Sequence, residues 1–146
     1  MTYEQAGATL ATLAMSLHRT PPPQDVFFLR DWMDGALRSS SSTPKHIATG
    51  ILALVERLRP GDGLCHGDLH PGNVIMTADG PRIVDWTMAM RRPAALDLAY
   101  SHIIHTEVAL GLVDNQQRPI GTNAALQSEY ARLAGTSRAA LTAAME

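Results

Sequence analysis

The sequence predicts an α+β fold, mainly α, in which helices surround one β-hairpin. Apolar residues recur at helical spacing in several long stretches, while residues 64 to 86 read as two short apolar runs about an Ala-Asp-Gly turn. The 45% apolar fraction owes much to 21 alanines, and only seven residues are aromatic, which suits helices around a thin core. At 146 residues the chain has the size of one domain and can bury a core without a metal or a disulfide.

The elements follow in order. Glu4 to Leu17 carries Leu10, Leu13, Ala14 and Leu17 on one helical face, and Pro21-Pro22-Pro23 cannot continue it. Phe27, Phe28, Leu29 and Trp32 follow, read as core-filling residues. Ser39 to Pro44 is a polar loop in which Thr43 is placed to cap a helix opening at Pro44. That helix shows Ile47, Ile51, Leu54, Val55 and Leu58 on one face and ends at Pro60-Gly61. Val74-Ile75-Met76 and Ile83-Val84 flank Ala78-Asp79-Gly80 as a hairpin. Helical spacing returns from Ala94 to Leu112 and from Asn123 to Ala134, where Gly135-Thr136 reads as a stop and a fresh cap. No glycine or proline closes the last helical pattern, so the domain is expected to continue beyond Glu146.

Composition excludes several classes of function. A net charge of -2 without a Lys/Arg block lacks the footprint of a nucleic-acid or anionic-membrane binder. Apolar runs fall short of the ~18 residues that a membrane span needs. One cysteine, Cys65, and a start without a charged n-region or apolar h-region lead to an expected cytoplasmic location. Cys65 itself reads as a small buried residue.

The chemistry lies in His66-Gly67-Asp68-Leu69-His70-Pro71-Gly72-Asn73 and, twelve residues on, Asp85-Trp86-Thr87. This is the spacing H-x-D-L-x-x-x-N, then D-aromatic-x, of the catalytic and metal-binding loops of protein-kinase-type phosphoryl transfer. Such transfer needs one carboxylate to orient a hydroxyl and receive its proton, and other hard oxygens to hold Mg²⁺ against the phosphates. Asp68 suits the first task, Asn73 and Asp85 the second. With a three-residue loop, Ala78 to Gly80, residue 77 pairs with 81 and 73 with 85, so both ligands share one face. A two-residue Asp79-Gly80 loop would pair 74 with 85 and separate them.

The stretch LCHGDLHPGNVIM…GPRIVDWTMAMRRPAALDLAY resembles the aminoglycoside phosphotransferase and choline kinase-like family, which has Gly where protein kinases have Arg, as Gly67 does here. The helix AGATLATLAMSLHR looks like the one that opens that family's C-terminal lobe. The resemblance implies a kinase-like fold, Mg²⁺ and ATP as cofactors, and a small-molecule hydroxyl as acceptor. By position it implies Asp68 as catalytic aspartate, Asn73 and Asp85 as metal ligands, His66 as a support of the loop, and Asp97 as a carboxylate tying the next helix to it. His70 is placed on the acceptor side. The chain departs from the family at Arg91-Arg92-Pro93, where members usually carry Gly-Asp-Pro.

Only 65 residues precede His66, and they read as helices, so residues 1–146 are expected to form one partial domain, the C-terminal lobe without its nucleotide-binding lobe. The single lysine, Lys45, opens a helix and cannot be the phosphate anchor. Gly61 to His66 fails the dinucleotide fingerprint at its sixth position. Activity of the chain alone is therefore expected to be weak or absent. Two other readings stand beside this one. The chain could be a non-catalytic binding or pairing module that self-associates through the face left open by the missing lobe, or a metal-dependent phosphoesterase using His66, Asp68, His70 and Asn73. His66/His70 and His102/His105 are the candidate transition-metal pairs. Arg91-Arg92 reads as a solvated loop, Trp86 as packing beneath the metal loop, and His18 as a helix C-terminal residue favoured by the dipole.

Overall fold

The computed structural model describes residues 1–57, 63–111 and 117–145. Helix α1 spans Tyr3–His18, α2 Leu29–Ser39 and α3 Lys45–Arg57; strand β1 is Gly63–Cys65, β2 Val74–Thr77, β3 Gly80–Ile83 and β4 Met90–Arg92; helices α4, α5 and α6 are Ala94–Gly111, Gln117–Ala134 and Arg138–Met145. Single 3₁₀ turns occupy Pro71–Asn73 and Trp86–Met88. The fold is mainly helical, as expected, with two small antiparallel sheets among the described residues where one hairpin was expected. No helix among the described residues is long and apolar enough to cross a membrane. Leu58, Pro60, Gly61, Leu112, Asp114 and Glu146 lie outside the described residues.

Helix α1 starts one residue earlier than its apolar pattern because Thr2 and Gln5 form a reciprocal capping box. Its buried face, Leu10, Ala11, Ala14 and Met15, meets Leu126, Tyr130 and Ala131 of α5, with Leu69, Leu98 and Leu141 completing the core. Small residues set the distance between the two helices. A Cβ on Gly7 would stand 2.4 Å from the Thr122 carbonyl oxygen and 2.6 Å from the Ala125 Cβ. Gly7→Ala is therefore expected to destabilise the fold by about 1 to 3 kcal/mol despite alanine's better helix propensity, read as a lower denaturant midpoint.

Helix α5 begins at Gln117, not at Asn123. Pro119 is tolerated in the first turn, where its missing N–H has no intrahelical partner, and Gly121 makes room for the Tyr3 ring, which a Cβ would approach to 2.5 Å. At its end Gly135 turns left-handed (φ 66), and the N–H groups of Gly135 and Thr136 donate to the carbonyls of Arg132 and Ala131. Ser137, rather than Thr136, caps α6 through its hydroxyl and the Ala140 N–H. Thr43 pairs its hydroxyl with that of Ser40, and α3 opens at Lys45.

The sheets correct the sequence reading in two ways. β2 and β3 form the expected hairpin, but Thr77 pairs with Gly80 and Val74 with Ile83, so the loop is the two residues Ala78-Asp79. Gly80 carries the positive φ of 106° just after the turn, where the expected three-residue loop had placed it last within the loop. There is also a second sheet: β1 pairs antiparallel with β4, Gly63 opposite Arg92 and Cys65 opposite Met90. Its strands are too short for a period of two to register in the sequence. Arg91-Arg92 thus lies in a strand, not in a solvated loop.

The aromatic segment was misplaced as well. Phe27, Phe28 and Trp32 fill no core; they are 67%, 43% and 42% exposed. Phe27 and Phe28 run beside β4 instead, where the Phe27 carbonyl accepts from the Arg91 N–H and the Arg91 guanidinium lies 5.0 Å from the Phe28 ring centre. Trp32 falls on α2, an unanticipated helix that buries no residue and packs mainly on α3. The Arg30–Glu56 ion pair joins these two helices.

Candidate functional site

β1 runs into the loop from His66 to His70, and Asp97 in the first turn of α4 holds that loop from beneath. Its Oδ1 accepts from the Gly67 N–H at 2.7 Å and from Arg92 Nη2 at 2.8 Å. Its Oδ2 accepts from the His66 N–H and from His18 Nε2, both at 3.0 Å. Asp97 is 2% exposed. Burial pushes its carboxyl up, but the hydrogen bond from His18, the charges of Arg92 and His18, and the Gly67 N–H outweigh that and hold it at about 2. Tyr130 of α5 reaches the other His18 nitrogen, Nδ1, at 2.7 Å. Burial and the negative charge of Asp97 push the Tyr130 phenol up to about 12, so it remains a neutral hydroxyl against Nδ1.

His66 is fully buried. Its Nε2 donates to the Val84 carbonyl at 3.0 Å and its Nδ1 accepts from the Asp68 N–H at 3.3 Å, while Trp86 meets the ring edge-on at 5.0 Å. The ring therefore bridges the segments that carry Asp68 and Asp85. Gly67, at φ 89, is the one residue type that fits between them, because a Cβ would lie 2.2 Å from the Met88 carbonyl oxygen. Ser101 of α4 ties down the far side of the loop by donating to the Leu69 carbonyl at 2.6 Å.

Asp68 and Asn73 are brought together directly. Asn73 Nδ2 donates to the Asp68 carbonyl at 2.8 Å and to Asp68 Oδ2 at 3.1 Å. His70 opens the intervening 3₁₀ turn, and its Nδ1 accepts from the Gly72 N–H at 3.1 Å. That leaves Nε2 to face Asp68 Oδ2, 3.6 Å away. Asp85 reaches the same end of the hairpin by another route than the expected pairing with Asn73. The Val84 N–H donates to the Asn73 carbonyl at 3.0 Å, so Asn73 stands opposite Val84. The chain then leaves the ladder at Asp85, which adopts a left-handed conformation (φ 61, ψ 71) and takes the Thr87 hydroxyl on Oδ1 at 2.8 Å. Among non-glycine described residues only Asp85 has a positive φ, and such strain concentrates at functional sites.

The histidine pairs offer no closed metal set. Both His66 nitrogens are engaged, His102 Nδ1 pairs with Asn123 and Gln127, and His105 Nδ1 donates to the Ser101 carbonyl. Among the described residues one group has three ligand atoms close together, His18, Cys65 and Asp97, all within 4.8 Å of one another. Its His18 nitrogens and Asp97 oxygens already have partners, and Arg92 brings a positive charge to the same carboxylate. The Cys65 thiol is pushed up to about 12 by burial and then by Asp97, so it is neither a thiolate ligand nor a nucleophile. Nothing local in the sequence marks His18, Tyr130, Arg92 and Ser101, whose partners lie far along the chain or, for Arg92, across a helix start.

Residues 2–136 match the model of the phosphotransferase enzyme family. The chain belongs to that family. Among curated proteins, this chain is 32% identical over 81 residues to the thiamine kinase of Escherichia coli O9:H4 (strain HS), covering 51% of this chain and 30% of that enzyme. Among solved structures it is similar to an aminoglycoside phosphotransferase from Alicyclobacillus acidocaldarius, with 20% identity and a TM-score of 0.35, over 98% of this chain and 60% of that one. The chain thus spans under a third of the curated relative and about three-fifths of the solved one.

Proposed function

We propose that this phosphotransferase chain is the kinase-like C-terminal lobe that carries the chemistry of ATP-dependent phosphoryl transfer to a small-molecule hydroxyl. The Asn73 amide carries the reading: by donating twice to Asp68 it holds that carboxylate on one side, while Asp68 Oδ1 and Asn73 Oδ1 make no hydrogen bond among the described residues. Asp68 orients the acceptor hydroxyl and takes its proton as the oxygen bonds to the γ-phosphorus and ADP leaves. Asn73 Oδ1 and the Asp85 carboxylate are the hard oxygen donors that suit Mg²⁺, which when bound neutralises phosphate charge. Asp97 and His66 support the loop. His70 lies beside Asp68, on the acceptor side.

Thermal unfolding in the presence of Mg·ATP tests this reading. Nucleotide at ten times its Kd should add about 1.4 kcal/mol of stability. Asp85→Asn should remove the shift, whereas Asp68→Asn should keep it and abolish whatever phosphoryl transfer the chain supports. The exposed Phe27, Trp32 and Leu54 favour a second reading, a pairing module that uses this face. Absence of any shift, together with sedimentation as a dimer, would select that reading instead.

A further inference from the structure

A cavity of about 510 Å³ opens beside the catalytic loop, between the start of α1, the His70-Pro71 turn, α4 and the first turns of α5. Its size is that of a small-molecule site. Tyr3, Ala6, Pro71, Ile104 and Pro119 make its walls predominantly apolar, and no carboxylate among the described residues lines it. The one permanently charged side chain there is a cation, Arg118. His70 is shared between this wall and Asp68, so the cavity adjoins the carboxylate that takes the acceptor's proton.

The wall also holds a buried polar atom without a partner. His105 is 4% exposed, its Nδ1 donates to the Ser101 carbonyl at 2.7 Å, and its Nε2 makes no hydrogen bond among the described residues. Burial lowers the His105 pKa, so the ring stays neutral and Nε2 keeps its lone pair. Buried acceptors of this kind ordinarily have a donor from protein, water or ligand.

We infer that this cavity takes the acceptor, and that the acceptor is a small alcohol with an apolar body and no positive charge. The inference rests on the proposed phosphoryl transfer for the word acceptor, but the binding it describes does not depend on transfer. A polycationic amino sugar finds the wrong charge at these walls, since Arg118 repels it and no carboxylate among the described residues lines them. An aromatic alcohol fits the walls, with His70 and the His105 Nε2 as the polar groups that its hydroxyl can meet.

The test is a titration of the chain, isotopically labelled at histidine nitrogen, with 2-phenylethanol and separately with the polycation kanamycin. 2-Phenylethanol should shift the His105 ring signals and saturate, and kanamycin should leave them in place. Ile104→Trp and Ala6→Leu, which narrow the cavity from α4 and α1, should each weaken 2-phenylethanol by about tenfold or more. The inference is overturned if 2-phenylethanol leaves His105 unmoved, if kanamycin binds comparably at His105, or if binding survives in whichever narrowing variant folds. Loss of the Mg·ATP shift with 2-phenylethanol binding intact would count against the proposed function and leave the cavity standing.

Discussion

Asp97→Ala is expected to cost about 3 to 5 kcal/mol, a large part of the stability of a domain of this size. The carboxylate is the shared acceptor for two loop N–H groups and two side chains. Without it the buried Arg92 guanidinium keeps its charge and loses its counter-ion, and the N–H groups of His66 and Gly67 lose their acceptor. Urea unfolding at neutral pH should show either a much lower midpoint or no folded baseline. Acid gives a milder form of the same loss. The folded pKa of about 2 lies below the ordinary 3.8, so the contribution is fully present above about pH 4 and disappears as pH falls through about 2. It amounts to about 2 kcal/mol, and Asp97→Asn should abolish that part of the pH dependence.

Gly67→Ala is expected to be the most damaging single methyl group in the site. The left-handed backbone costs alanine about 1 to 2 kcal/mol, and the new Cβ would meet the Met88 carbonyl, which is backbone and cannot rotate away. Relief requires the 3₁₀ turn Trp86–Met88 to move, and Asp85 stands immediately before that turn. The variant should therefore lose at least about 2 kcal/mol and also lose the Mg·ATP response in whatever fraction remains folded. Gly80→Ala is the control. Gly80 has a similar positive φ of 106° but nothing within 4 Å of its would-be Cβ, so only the conformational cost of about 1 kcal/mol applies. Parallel denaturation of the two variants separates crowding from backbone preference.

The contrast between these glycines marks what the sequence made legible. Spacing within one segment was readable: the string from His66 to Asn73, the buried face of α1, the existence of a hairpin, the stop at Gly135. Each depends on residues a few positions apart. The hairpin register was not readable, because Ala78-Asp79-Gly80 is compatible with several loops and the outcome depends on where the positive φ of Gly80 falls. β1 and β4 pair across a gap that includes the whole site, and three-residue strands have no period to detect. α2 carries Leu29, Trp32, Met33, Ala36 and Leu37 at helical spacing, yet it buries none of its residues. His18 is the helix terminus it looked like, and it also links Tyr130 and Asp97, 112 and 79 positions away. The Arg91-Arg92 departure from the family pattern carried the same lesson: Arg92 is buried as the partner of Asp97.

The central claim is that Asn73 and Asp85, beside Asp68, present one divalent-metal site. Mn²⁺ shares the preference of Mg²⁺ for carboxylate and carbonyl oxygens, and its paramagnetism broadens nearby NMR signals. Titration of the chain with Mn²⁺ and ATP should broaden the amide resonances of Asp68, Asn73 and Asp85 first, and Asp85→Asn should raise the Mn²⁺ needed by about tenfold or more. Broadening that begins elsewhere, or that Asp85→Asn leaves unchanged, would contradict it.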